Sequence, residues 1–361
     1  MIEKYLKGEE RIVLALRSLY SKYGYLPYKM NKFEEYDLYA KNKDFLVSDG
    51  IITFTDIGGK LLALKPDVTL SIIKNASDEK GAKNKVYYSE NVYRISGATR
   101  EYKEIMQTGL ECIGDLTLYD TYEVISLAGK SLGAISNDYV LEISHMGIIS
   151  ALLDKISSNE KFKNEAIECI EKKSTHTIKA VCAEYGISKE DTEALCDFCA
   201  LHGTPSHVIS KLENMDVSQE FCACVEELKS IDALLRDDEG YDKIQIDFSL
   251  LNDMNYYNGI AINGFVNGVC ECVLFGGRYD KLLDKMGKGC EGVGFAVYTD
   301  LLTSLDNRTS AYDVDTLVIY SKETDASVLK KTVEKLVSEG KSVSAQMVEP
   351  QKLRFKEKIE I

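Results

Sequence analysis

No stretch of the 361 residues approaches the ~18 consecutive apolar residues that a membrane-spanning helix needs. Proline is scarce at 4 and glycine moderate at 25, while 45% of residues are hydrophobic. A collagen-like chain needs far more of the first two and a disordered chain far fewer apolar side chains, so both classes are excluded. Positive charge is in deficit as well. Lys and Arg number 44 against 58 Asp and Glu, a net charge of −14, and so acidic a surface repels phosphate backbones unless a local basic face offsets it. Internal repeats and low-complexity tracts are absent. The first residues, MIEKYLKGEERIVLALRSLY, scatter charges where a secretory signal carries an apolar core and a cleavage site. The expectation is a soluble, cytoplasmic protein, independent of membranes, with length for two or three domains.

Ten cysteines would imply a disulfide framework only in a short secreted chain; here they are spread over the length, beside segments that read as core. The one suggestive group is Cys196, Cys199, His202 and His207, followed by Cys222 and Cys224. Cys196 and Cys199 sit three apart in a helical pattern and could face one ligand. Their spacing fits no zinc ribbon or finger, and free cysteines are among the most buried residues. Reduced thiols and no metal are expected.

Hydrophobic periodicity orders the rest. Ile12, Val13, Leu16, Leu19 and Tyr20 form one stripe of a helix over about Glu9 to Tyr23, with Gly24 as its stop. From Ile51 to Gly114 the pattern turns strand-like. Ile51–Thr55 and Leu61–Leu64 flank Gly58-Gly59 as a hairpin, then Val86–Tyr88, Asn91–Arg94 and Met106–Ile113 follow. A helix over about Tyr119 to Leu132 and a strand at Val140–Ser144 close the first half. Gly147 to Arg236 reads as helices almost throughout. Strands return at Lys243–Phe248, and three Asn-Gly pairs (258–259, 263–264 and 267–268) predict an antiparallel meander. Helices interrupting an antiparallel sheet suggest an inserted subdomain. The expected division is a core of residues 1–150 and 240–308, a helical insertion at 151–239 and a β-α-β unit at 312–361. The class is α+β.

Polar motifs stand at the edges of these strands. Lys65-Pro66-Asp67-Val68-Thr69 follows one strand and opens a helix, and Arg94 ends another. Gln107 and Glu111 are four apart in a strand, so they share one face. Tyr256-Tyr257-Asn258-Gly259, Gly276-Gly277-Arg278-Tyr279-Asp280 and Glu291-Gly292-Val293-Gly294-Phe295-Ala296 complete the series. Singly, each has an ordinary explanation: a bulge, a surface ion pair, a solvated sheet face. Their order and spacing carry the weight.

That order resembles the catalytic core of histidyl-tRNA synthetase, a class II aminoacyl-tRNA synthetase, over about residues 9 to 305 outside the helical stretch. The family shows Arg-Pro-Glu-x-Thr, a motif 2 Arg, Gln-x-x-x-Glu, Tyr-Tyr, Gly-Gly-Arg-Tyr-Asp and a motif 3 in the same sequence. The resemblance implies an antiparallel sheet flanked by helices, a pocket on the sheet and dimerisation through the core. It also implies a histidine site. Asp67, Thr69 and Gln107 would hold the α-ammonium, which wants acceptor oxygens. Glu111 and Tyr257, beside Tyr256, would read the imidazole, and Arg94 would take the carboxylate. The family's Glu is Asp at 67.

The departures fall on nucleotide chemistry. The family's histidine-specific Arg corresponds to Asn252, and the motif 3 ending Gly-x-Glu-Arg reads Tyr298-Thr299-Asp300-Leu301. Motif 2, Arg-x-Glu, reads Arg94-Ile95-Ser96, its loop is one residue shorter, and the motif 1 Pro is replaced by Asn31. Removing one preorganised donor from a charge-stabilising site costs about 10²–10³ in rate, so two missing arginines disable adenylation without disturbing a fold. The C-terminal β-α-β unit resembles a truncated anticodon-binding domain, and with the acidic charge this predicts no tRNA binding.

A synthetase paralogue with these losses resembles the ATP phosphoribosyltransferase regulatory subunits. That resemblance implies a non-catalytic chain with no cofactor. It would assemble as homodimers in a hetero-octamer with a short-form catalytic ATP phosphoribosyltransferase subunit, and transmit allosteric feedback by L-histidine on the first step of histidine biosynthesis. The histidine site is this pocket or the interface between subunits. The alternatives are a working histidyl-tRNA synthetase, which histidine-dependent ATP–pyrophosphate exchange would reveal, and another synthetase-like amino-acid-binding protein.

Overall fold

The computed structural model describes residues 6–43, 46, 50–77, 79, 81–95, 100–215, 217–249, 256–305 and 311–361. Helix α1 (Gly8–Lys22) starts where the Glu10 carboxylate accepts the Lys7 backbone N–H at 2.8 Å. It buries Leu16 and Tyr20 and ends before Gly24, whose φ of +80° a side chain would resist. Strand β1 (Leu26–Pro27), β2 (Phe33–Glu35), helix α2 (Tyr36–Ala40), β3 (Thr53–Thr55) and β4 (Leu61–Leu64) follow. Here β2, β4 and β3 form a small antiparallel sheet, and the expected hairpin joins β3 to β4. Helix α3 (Thr69–Asn75) then opens after the Lys65–Val68 loop, with the Asp67 carboxylate accepting the Leu70 N–H at 2.9 Å.

The two short strand signals at 86–94 belong to one strand, β5 (Lys83–Ile95), paired over its whole length with β6 (Tyr102–Gly114). Helix α4 (Leu118–Ile135) and β7 (Tyr139–His145) come next. Six helices follow: α5 (Met146–Ile156), α6 (Glu160–Glu171), α7 (Thr175–Glu184), α8 (Lys189–Cys199), α9 (Pro205–Leu212) and α10 (Gln219–Leu235). Between α8 and α9, β8 (His202–Gly203) is too short for periodicity to reveal. The chain returns through β9 (Ile244–Asp247), β10 (Ile260–Val266), β11 (Leu274–Arg278), helix α11 (Asp280–Lys285) and β12 (Glu291–Tyr298). The nine-stranded sheet has the order β1-β5-β6-β12-β11-β10-β7-β9-β8. Its centre, from β5 to β7, is antiparallel, and β1 and β9 join in parallel.

Two parts of the meander differ from expectation. Asn258-Gly259 leads into β10, whose sheet neighbours are β7 and β11 and not the preceding β9. Asn263-Gly264 is no turn: it lies inside β10, paired with β7 on one side and β11 on the other. A Cβ at Gly264 would fall 2.8 Å from Leu132 of α4 and 2.9 Å from Leu274, so the glycine lets the helix lie close on the sheet. The Asn267-Gly268 pair does make the hairpin, with Gly268 at φ +90°.

Strand alternation sorts the sheet's two faces. Leu110, Cys112, Val293 and Val297 join the cluster containing Leu16 and Tyr20 of α1 and Val124 and Leu127 of α4. Buried residues of α5 to α10, among them Leu152, Phe162 and Phe198, continue the same cluster. On the other face, Tyr88, Val92 and Ile113 pack with Leu70 and Ile73 of α3 and Leu282 of α11. All ten cysteines are free thiols. The Cys196 and Cys199 thiols each lie 3.7 Å from a backbone carbonyl oxygen, of Thr175 and Cys169. Among the described residues no three His, Cys, Asp or Glu side chains group as metal ligands, and no helix is long and apolar enough to cross a membrane.

Residues 306–361 form a second compact unit. Strands β13 (Val314–Ile319) and β14 (Val343–Gln346), with helix α12 (Ala326–Ser338) between them, make the expected β-α-β. A third parallel strand, β15 (Phe355–Glu360), adds to the other side of β13. Its sequence FKEKIE is mostly exposed charge, the pattern of a protected edge strand, and carries little hydrophobic signal.

Candidate functional site

A cavity of about 360 Å³ opens on the sheet face beside α3 and α11, a size suited to a small molecule. All seven residues expected at a ligand site line it: Asp67, Thr69, Arg94, Gln107, Glu111, Tyr256 and Tyr257. Four parts of the chain supply them. Asp67 and Thr69 come from the turn into α3, Arg94 from the end of β5, Gln107 and Glu111 from one face of β6, and the tyrosines from the segment entering β10. Asn252 and the Ser96 loop lie outside the described residues. Leu301, in the 3-10 turn after β12, packs its apolar side chain against the main core.

Glu111 is 2% exposed. One carboxylate oxygen accepts the Thr69 hydroxyl at 2.7 Å and the other the Tyr279 phenol at 2.6 Å. Burial pushes its pKa up from an ordinary 4.5 to about 8; the two hydroxyl bonds pull the other way, and Asp67 adds to the rise. Space for the carboxylate is made in β12. A Cβ on Gly294 would sit 1.8 Å from the Glu111 Oε2 atom, and one on Gly292 2.4 Å from the Tyr279 ring. A Gly-x-Gly that carries little meaning alone thus defines where an acid and its donor can stand.

Asp67 is also raised by burial, against the pull of the Leu70 N–H and of Arg94. Arg94 is 8% exposed, and its Nε donates to the Pro66 carbonyl at 2.9 Å while Nη1 donates to the Tyr298 phenol at 3.1 Å. Burial alone would depress its pKa, but Tyr298 and Asp67 raise it. Tyr256 packs edge-on to Tyr257 with ring centroids 4.8 Å apart, and tilted against Tyr279 at 6.0 Å. The result is a tyrosine-walled pocket with two buried acids and, among its described lining residues, one cation.

Sequence reasoning left out Tyr88, Asn263, Phe275, Tyr279 and Tyr298, which also line the cavity. Tyr279 stands in the quoted Gly-Gly-Arg-Tyr-Asp motif, and Tyr88 pairs directly across from Gly109, a tyrosine-over-glycine signal visible only once register is known.

An antiparallel sheet with helices on both faces and a small polar pocket on one of them defines the class II aminoacyl-tRNA synthetase fold. A model of the histidyl-tRNA synthetase family matches residues 2–302. An ATP phosphoribosyltransferase regulatory subunit from Oceanobacillus iheyensis is 27% identical over 306 residues, 84% of this chain and 75% of that protein. A solved ATP phosphoribosyltransferase regulatory subunit/histidyl-tRNA synthetase from Bacillus halodurans superposes with a TM-score of 0.81 at 22% identity, covering 98% of this chain and 93% of that one. A chain of the ATP phosphoribosyl transferase (HisG:HisZ) complex from Thermotoga maritima gives 0.65 at 21% identity, covering 81% and 97%. The chain belongs to the histidyl-tRNA synthetase family.

Proposed function

We propose that this chain is a non-catalytic regulatory subunit of ATP phosphoribosyltransferase, acting in the cytoplasm with a short-form catalytic subunit and sensing L-histidine in the pocket described above. The observation that carries the reading is the pocket's charge. Arg94 shares the cavity lining with two buried acids, and at the motif 3 Arg position Leu301 packs against the core. Transfer to a nucleotide phosphate needs preorganised positive charge where negative charge develops. A zwitterion needs less: one cation for its carboxylate, acceptors for its ammonium, and a partner for its ring nitrogen. Arg94 supplies the first, Asp67, Thr69 and Gln107 the second, and Glu111 with Tyr256 and Tyr257 the walls and polar partner for the imidazole.

Histidine can act through such a site only by binding two arrangements of the complex with different affinity. A coupling of about 1–3 kcal/mol, roughly 5- to 150-fold, is ordinary for such sites. In this reading homodimers of the chain, built through the core, join catalytic subunits in a hetero-octamer, and tRNA is no partner. The test is co-expression with a short-form catalytic subunit. Phosphoribosyl transfer is expected to rise on assembly and to become histidine-sensitive. If transfer by the catalytic subunit is indifferent to this chain, the proposal fails.

A further inference from the structure

We propose that Tyr298 is a specificity-determining residue of the pocket, admitting a free carboxylate and refusing an esterified one; the inference rests on reading the cavity as a histidine site. Tyr298 ends β12 directly opposite Gln107 in the sheet register, so its ring stands over the same face as the predicted ligand residues. The ring is held from two sides. It meets Phe275 edge-on with centroids 5.3 Å apart, and the Arg94 guanidinium lies 5.9 Å from its centre.

The direction of the Arg94 bond decides the chemistry. A guanidinium can only donate, so the Tyr298 oxygen accepts that bond at 3.1 Å. The phenolic proton is then free to point elsewhere, and no described residue accepts it. Among the described residues Arg94 commits Nε to Pro66 and one Nη1 bond to Tyr298, which leaves three of its five N–H donors. An unesterified carboxylate docked at Arg94 receives the guanidinium's remaining donors and the phenol's proton together. Such charge-assisted bonds are the strong ones. Esterification removes the negative charge and sets an alkyl group against the aromatic wall of Tyr298 and Phe275.

The test compares three ligands by calorimetry on the full chain, alone and with a short-form catalytic subunit. They are L-histidine, L-histidinol, whose carboxylate is a CH₂OH group, and L-histidine methyl ester. Wild type is expected to prefer histidine to both. Tyr298→Phe keeps the ring and removes the donor, so histidine should weaken about tenfold or more while histidinol is unchanged. Tyr298→Ala opens the wall, and the methyl ester should gain relative to histidine. Thermal melting establishes that both variants are folded. A Phe variant that loses histidine and histidinol equally, or loses neither, overturns the role of Tyr298 and leaves the pocket's assignment standing. Failure of wild type to bind histidine in either state overturns that assignment, and this inference with it.

Discussion

Replacing Glu111 by Gln keeps the side chain's shape and removes the one ionisable group enclosed by the Thr69 and Tyr279 hydroxyls. The folded carboxyl titrates near 8 and an exposed one near 4.5. The native state therefore holds the proton more tightly than the unfolded chain. The stabilisation this gives is full below pH 4.5 and is lost as pH rises towards 8. At about 1.4 kcal/mol per tenfold change in proton affinity, about 3 kcal/mol is gone by pH 7 and up to about 5 kcal/mol above pH 8. Gln cannot ionise, so Glu111→Gln should melt at a temperature close to wild type at pH 5 and clearly higher at pH 8.5. Histidine binding should move the opposite way. Below pH 8 the carboxyl brings the proton that an imidazole can accept to form a charged pair, whereas above pH 8 that proton must come from solvent. Below about 6.5 free histidine is already protonated. Affinity should accordingly peak between about pH 6.5 and 8 in wild type. In the Gln variant it should fall about 10- to 100-fold, with the pH optimum gone. Melting scans from pH 5 to 9 with calorimetric titrations check both arms. Parallel melting curves for the two proteins across that range would refute the titration near 8.

Two further substitutions probe the walls. Gly294→Ala would put a methyl group 1.8 Å from the Glu111 carboxylate and 2.5 Å from the Leu110 carbonyl oxygen. It should lower stability by about 1–3 kcal/mol in urea titrations and abolish the thermal shift given by histidine. Lys65, 1% exposed, starts the loop that carries Asp67 and is ion-paired to Glu90 at 2.5 Å. Glu90→Ala strands that ammonium and should cost about 3 kcal/mol, with Lys65→Met in the same chain restoring most of the loss. A double mutant no more stable than Glu90→Ala alone would refute the stranded charge as the cause.

Much of the site could be read before the fold was known, because polar residues confined to strand edges and to one strand face have few structural reasons to be there. Gln107 and Glu111 announce a shared face by spacing alone, and Asp67 and Thr69 announce a helix start. The glycines did not declare their purpose. Gly292 and Gly294 make a Gly-x-Gly that says little alone, yet they lie within β12 and leave room for Tyr279 and Glu111. Asn263-Gly264 misled for the same reason, since a turn signal and a close helix–strand contact both call for a residue without a side chain. β15 escaped because an edge strand made of charges has almost no hydrophobic alternation to detect.

Local chemistry, carried by each residue and its near neighbours, settled most of the longer helices and strands, the alternating faces of the strands and the inventory of acids, tyrosines and the single motif 2 arginine. Proximity is a long-range quantity and only packing could fix it. The antiparallel register set Tyr298 opposite Gln107, and burial rather than sequence raised Glu111 towards neutrality. The same enclosure turned the Tyr298 oxygen towards Arg94, because a buried guanidinium must find acceptors that water no longer provides.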